Sequence, residues 1–88
     1  MHELSIAMSI VEIACEEAGR QGGGPVEEVH LLMGKDSGVV ADALLFSWDL
    51  VCEGTSAQGA KLVIEEQPGR ELQVSAIVVL VEHDATPG

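Results

Sequence analysis

The residues best suited to chemistry in this chain are its first three, Met1, His2 and Glu3. The amine of Met1, the backbone nitrogen of His2 and the imidazole of His2 can close two fused chelate rings around one ion. Such nitrogen donors suit a metal that prefers tetragonal geometry, nickel(II) or copper(II). Glu3 adds a carboxylate or its own backbone nitrogen. We therefore predict a metal site made by these three residues, with no leader ahead of Met1. The alternative is a solvated histidine without a role.

An amphipathic helix predicted over residues 4–18 must position these donors. Its apolar residues recur at helical spacing over most of the circumference, which favours packing into the core over binding of a partner. They are Leu4, Ala7, Met8, Val11, Cys15 and Ala18, widened by Ile6, Ile10 and Ile13. His2 then lies just ahead of the helix, and a glycine-rich linker over residues 21–25 follows it.

A second helix is predicted over residues 39–52, capped by Asp36 or Ser37. Its expected core face consists of Val40, Ala43, Leu44, Ser47 and Val51, with Leu45, Trp48 and Cys52 beside it. Phe46 falls on the stripe that should be polar. This aromatic residue marks either a contact surface or a place where a sheet covers the helix.

Three strands are predicted, over residues 26–33, 61–66 and 72–82. His30, in the first strand, is expected to be a half-exposed polar residue rather than a ligand. The unbroken apolar run 77–81 predicts that the last strand is central and covered on both sides. The second and last strands should pair antiparallel across a turn at Pro68 and Gly69, and residues 83–88 should form a loose tail.

The predicted fold class is therefore α+β, with two helices packed on a three-stranded sheet in a single two-layer domain. A chain of 88 residues gains stability from further burial, so a homodimer is one expectation. Two cysteines alone, Cys15 and Cys52, make neither a zinc knuckle nor a disulfide framework, and we expect buried thiols on separate helices. Reduced cysteines favour a cytoplasmic location.

The net charge of −11, with only four basic residues, excludes several classes of partner. Nucleic acid and anionic membranes are disfavoured, whereas cations and basic protein surfaces are favoured. No apolar run reaches the roughly 18 residues of a membrane span, and no secretory signal is recognisable. No Ser-His-Asp spacing, paired carboxylates or activated cysteine indicates catalysis, so we expect a protein that is not an enzyme.

The opening residues and a series of later positions together resemble the HypA/HybF family of nickel metallochaperones. The residues that carry the resemblance are Met1-His2-Glu3-Leu4-Ser5, Phe46, Asp49, Gly54-Thr55, Ala57, Gly59-Ala60, Leu62 and Gly69-Arg70-Glu71-Leu72. The match covers nearly the whole chain. Trp48 stands where the family commonly has Phe, and Leu32 where a polar residue is common.

The resemblance implies a protein that takes up nickel through Met1, His2 and Glu3. It implies delivery of Ni(II) to the large subunit of a maturing [NiFe]-hydrogenase, or to urease, together with a HypB-type GTPase. Phe46 is the expected partner contact. The alternative is an interaction or adaptor module of the same fold that does not deliver nickel. Nickel titration of the chain with an untagged N-terminus separates the two.

One departure from the family is large. Members usually insert a zinc domain with two Cys-x-x-Cys pairs between the second and last strands, whereas here Gln67-Pro68 leads directly to Gly69-Arg70. We therefore expect residues 1–88 to form one nickel-binding domain of the HypA type, with the zinc domain absent at the 68–69 turn. No structural zinc is expected.

Overall fold

The computed structural model of the chain describes residues 2–80, apart from the side chain of His2. Its elements, in chain order, are α1 (His2–Arg20), β1 (Val26–Gly34), α2 (Ala41–Cys52), β2 (Lys61–Gln67) and β3 (Leu72–Val79). Two helices and one three-stranded sheet confirm the predicted α+β class. None of the helices in this described part is long and apolar enough to cross a membrane. The predicted tail at residues 83–88 lies outside the described residues.

The strand order is β2-β1-β3, with β1 parallel to β2 and antiparallel to β3. The predicted pairing of the second and last strands is therefore wrong, because β1 lies between them. At the centre of the sheet, Val29 is opposite Leu62 on one side and Ile77 on the other. The α2 crossover between β1 and β2 carries the chain back to the same end of the sheet, which makes these two strands parallel.

The turn between β2 and β3 crosses over the end of β1 instead of closing a hairpin. The backbone N–H of Gly34 donates to the Glu71 carbonyl at 2.7 Å, and that of Lys35 donates to the Gln67 carbonyl at 2.8 Å. A Cβ on Gly34 would collide with the Gly69 carbonyl, so only glycine fits at this crossing. Gly69 itself has φ of 105°, a left-handed conformation that favours glycine.

The prediction that the last strand is central is also wrong. β1 is the central strand, and its residues Val29, Leu31 and Met33 are buried. β3 lies at the edge, with Val78 and Leu80 exposed. An unbroken apolar run looks the same in a central strand and in an edge strand whose second face is open, so the sequence pattern did not distinguish them.

Both helices cover the same core, but with side chains of different size. α1 buries Ala7, Ala14 and Ala18 together with Ile10 and Val11. These alanines leave room for the larger residues of α2, since a close-packed interior has few voids. Helix α1 extends two residues beyond the predicted range at each end.

The buried stripe of α2 consists of Leu44, Trp48 and Cys52, so the core face is rotated from the predicted one. Val40, expected in the core, is 57% exposed. The indole N–H of Trp48 donates to the Ala60 carbonyl at 2.9 Å, and this buried hydrogen bond requires the side chain to point inward. The rotation buries the large apolar ring of Trp48, and the Ala60 carbonyl satisfies the indole N–H that burial removes from water.

The predicted cap of α2 is wrong as well. The N-cap residue is Val40, whose own side chain cannot accept a hydrogen bond. Ser37 Oγ accepts from the Val39 N–H at 3.3 Å, outside the helix. The N–H of Val40 is satisfied instead by Glu3, from the other helix.

Candidate metal centre

Of the three predicted metal-binding residues, the structure describes the backbone of His2 and all of Glu3, and these lie at the start of α1 rather than ahead of it. The helix begins at His2, so His2 and Glu3 both belong to its first turn. The first four N–H groups of an α-helix have no acceptor within the helix. Binding of a metal by the backbone nitrogens of His2 and Glu3 would therefore break no hydrogen bond of the helix ladder, although the Glu3 backbone also donates to its own carboxylate. Met1 and the side chain of His2 lie outside the described part of the chain.

Glu3 connects this end of α1 to the beginning of α2. Its Oε2 accepts a hydrogen bond from the Val40 N–H at 3.2 Å. That bond is the main reason why the pKa of Glu3 is lowered from its ordinary value, and a hydrogen bond from the backbone of Glu3 itself adds to it. A carboxylate at a helix N-terminus also interacts favourably with the helix dipole. The Glu3 side chain thus fixes the first turn of α1 against α2.

The remaining described histidine lies elsewhere in the fold. His30 is half-buried on β1, and its Nε2 is 2.9 Å from Glu28 Oε1 on the same strand. This agrees with the prediction of a half-exposed polar position. Among the described side chains, which exclude that of His2, no group of three or more His, Cys, Asp or Glu is arranged to hold a metal ion. His83 lies outside the described residues.

The two cysteines occupy separate helices, as predicted, but only one is fully buried. Cys52 on α2 is buried, and this desolvation raises the pKa of its thiol to about 11, with further contributions from Asp49 and Cys15. Cys15 on α1 is half-buried, and the Ser56 hydroxyl lies 3.2 Å from its sulfur. Burial therefore disfavours the thiolate form of Cys52.

Phe46, the predicted contact residue, is 88% exposed on α2. Sequence analysis missed Leu50, which is 64% exposed one turn further along the same helix. The signal was present in the sequence, because residues four apart lie on the same face of a helix. The structure therefore rules out the alternative that a sheet of this chain's residues 2–80 covers Phe46.

The described residues form a small α+β domain, with His2 and Glu3 in the first turn of its first helix. A family model described as "Hydrogenase/urease nickel incorporation, metallochaperone, hypA" matches residues 1–76. The chain belongs to this family. A metallochaperone carries a metal ion and is not an enzyme, in agreement with the expectation from sequence.

Curated relatives support the assignment. The hydrogenase maturation factor HypA of Roseiflexus sp. (strain RS-1) is 57% identical over 68 residues, which cover 77% of this chain and 55% of the relative. The protein of the same name from Chlorobaculum tepidum is 46% identical over 70 residues, covering 80% and 62%. The chain thus spans little more than half the length of these relatives.

The fold is shared with a solved structure. The solution structure of the Ni metallochaperone HypA from Helicobacter pylori superposes with a TM-score of 0.67, covering 89% of this chain and 86% of that one. Sequence identity is 12%, so this comparison supports the architecture alone.

Proposed function

We propose that the chain binds one Ni(II) ion through Met1, His2 and Glu3 and supplies it for maturation of a [NiFe]-hydrogenase or of urease. The donors are the Met1 amine, the His2 imidazole and the backbone nitrogens of His2 and Glu3. The observation that carries this proposal is the position of His2 and Glu3 in the first turn of α1, within the segment that matches a nickel-incorporation family.

The proposed square-planar geometry requires backbone torsions that differ from those of an α-helix. A square plane through consecutive backbone nitrogens needs nearly eclipsed N–Cα–C–N torsions, whereas an α-helix holds ψ at about −42°. Nickel binding therefore flattens the first turn of α1. That turn has the fewest internal hydrogen bonds in the helix, so the change is least costly there.

Glu3 has two roles in this proposal. Its backbone nitrogen is a nickel donor, while its carboxylate continues to accept from the Val40 N–H. The carboxylate anchors the flattened turn on α2 and limits the directions in which the donors can move. Glu3 is in this respect a positioning residue as well as a ligand.

We further propose that residues 1–88 form a single nickel-binding domain without structural zinc. The backbone hydrogen bonds of Gly34 and Lys35 to the connection between β2 and β3 support a closed, short turn where the family usually inserts its zinc domain. Neither Cys15 nor Cys52 belongs to a group of three or more potential metal-binding side chains among the described residues, which supports the same view.

The proposed partners are a HypB-type GTPase and the hydrogenase large subunit, with Phe46 as a contact. The charge of −11 favours basic surfaces on these partners over nucleic acid or anionic membrane. A homodimer is the other assembly proposed. The proposed location is the cytoplasm, where Cys15 and Cys52 remain reduced.

Nickel titration of the chain, prepared with the Met1 amine free, tests the function. We expect one tightly bound Ni(II) per chain, low-spin and diamagnetic because deprotonated backbone nitrogens are strong-field donors. Copper(II) should bind more tightly still. Affinity should fall as the pH drops through the imidazole pKa, about 6.5 when unperturbed, because the donors must lose protons. Absence of nickel binding would favour the adaptor module.

A further inference from the structure

Helix α2 has an apolar ridge on the side that faces away from the core. Phe46 and Leu50 are 88% and 64% exposed. Each lies two residues from the buried Trp48, which at 3.6 residues per turn places them about 160° around the helix from it. They are therefore not the margin of the core, and their exposure is not a consequence of packing within this domain.

The ridge is flanked by carboxylates. Asp42 and Asp49 lie four residues before and three residues after Phe46, and Glu53 lies three residues after Leu50, so each is adjacent on the helix surface. All three acidic residues are exposed. Helix α2 contains no lysine or arginine. The outer face of α2 thus combines an apolar centre with negative charge alone.

We propose that Phe46 and Leu50 dock into an apolar groove of a partner protein whose rim carries lysine and arginine side chains. A helix that inserts residues four apart into a groove is a recurrent mode of recognition. The carboxylates at positions 42, 49 and 53 pair with the basic rim and increase the rate of association. This inference rests on the partner part of the proposed function, and it adds the surface and the chemistry of its counterpart.

The charge distribution selects this occupant over a second copy of the chain. A two-fold interface brings the same surface of each copy together. Two α2 ridges in contact would place Asp42, Asp49 and Glu53 of one copy near those of the other, without a basic residue on either helix. Like charges in such positions oppose association.

The test measures the affinity of the full chain for a purified HypB-type GTPase by titration calorimetry, and the rate of association by stopped-flow mixing. Phe46→Ser and Leu50→Ser are each expected to weaken binding at least tenfold, as for an aromatic or aliphatic residue at the centre of an interface. Asp42→Asn combined with Asp49→Asn should lower the association rate and reduce its dependence on salt. Ile13→Ser is the matched control, since Ile13 is half-exposed on α1 and lines a surface pocket together with β3 residues 74–77, away from α2.

The same variants are titrated with nickel, so that the two proposals can fail separately. Unchanged nickel binding by Phe46→Ser with weakened GTPase binding supports the ridge. Equal GTPase binding by Phe46→Ser, Leu50→Ser and the unmodified chain would overturn it, as would an absence of binding by the unmodified chain. Sedimentation showing a dimer that Phe46→Ser converts to monomer would assign the ridge to a second copy instead.

Discussion

The first turn of α1 and the outer face of α2 lie on neighbouring helices of one layer but are built in opposite ways. In the proposed function, the first turn of α1 binds a metal through donors from consecutive residues. These donors include backbone nitrogens, which do not depend on how the core is packed. The face of α2 offers apolar area, and it exists only because a helix brings Phe46 and Leu50 together. The hydrogen bond from Val40 to Glu3 joins the two regions. Because the two regions share no residues, metal uptake and partner docking should nevertheless be separable by mutation.

Among these substitutions, His2→Ala should have the largest effect, a loss of nickel affinity that is confined to the first turn of α1. Loss of the imidazole removes one donor and one chelate ring. Affinity for nickel should fall by roughly 100-fold or more, since even outer-shell partners are worth up to that. Binding to the GTPase and the free energy of unfolding should not change. His30→Ala is the control and should bind nickel as the unmodified chain does.

The two faces of α2 should respond differently to substitution. Trp48→Phe leaves the buried Ala60 carbonyl without its donor and should lower the free energy of unfolding by about 1–3 kcal/mol. Phe46→Ser should change it by less than about 1 kcal/mol, because the ring contacts little of the domain. Urea unfolding measures both. A large loss from Phe46→Ser would show that the ridge is part of the fold.

Alkaline pH should destabilise the domain through the inner face of α2. The thiol of Cys52 has an ordinary pKa of 9.0, raised to about 11 by burial. Between these values the unfolded chain loses the proton and the folded chain keeps it, so stability present below pH 9 is lost as pH rises. The contribution of this group approaches about 1.4 kcal/mol per pH unit. Cys52→Ala should remove this slope in unfolding measured from pH 8 to 11.

Loss of the hydrogen bond between Glu3 and Val40, which connects the two regions, should have the smallest effect of these substitutions. Glu3→Ala removes the acceptor of the Val40 N–H, so hydrogen exchange at that amide should become faster. Glu3→Gln keeps a side-chain oxygen and should retain most of the protection. The amide of Gly54, which donates to Gln58, serves as the internal reference. Identical exchange at Val40 in all three proteins would show that the contact does not hold α2.

Local patterns predicted the elements well and their arrangement less well. The helical spacing of apolar residues in α1 and the alternation around Val29 and Leu31 in β1 identified both elements within two residues. The order of the strands depends on which strand pairs with each edge of β1, and no local sequence pattern encodes that choice. The apolar run at the end of β3 therefore suggested a central position that β1 occupies.

The same distinction applies to the functional residues. Met1, His2 and Glu3 are consecutive, so their chemistry was apparent without a fold. The contact between Glu3 and Val40 joins residues 37 positions apart and became visible only in the structure. Phe46 was noticed because an aromatic residue interrupts a polar stripe. Leu50 was overlooked because the prediction placed the core face one position away from the Trp48 stripe.

Acetylation of the Met1 amine tests the central claim most directly. The acetyl group removes the amine from its chelate ring while leaving every side chain of the domain in place. Nickel titration of the unmodified and acetylated chains, with the same buffer and pH, should show one tight, diamagnetic Ni(II) in the first and loss of that binding in the second. An acetylated chain that binds one nickel with undiminished affinity would contradict the account and place the site elsewhere, with His30 and His83 as the next candidates.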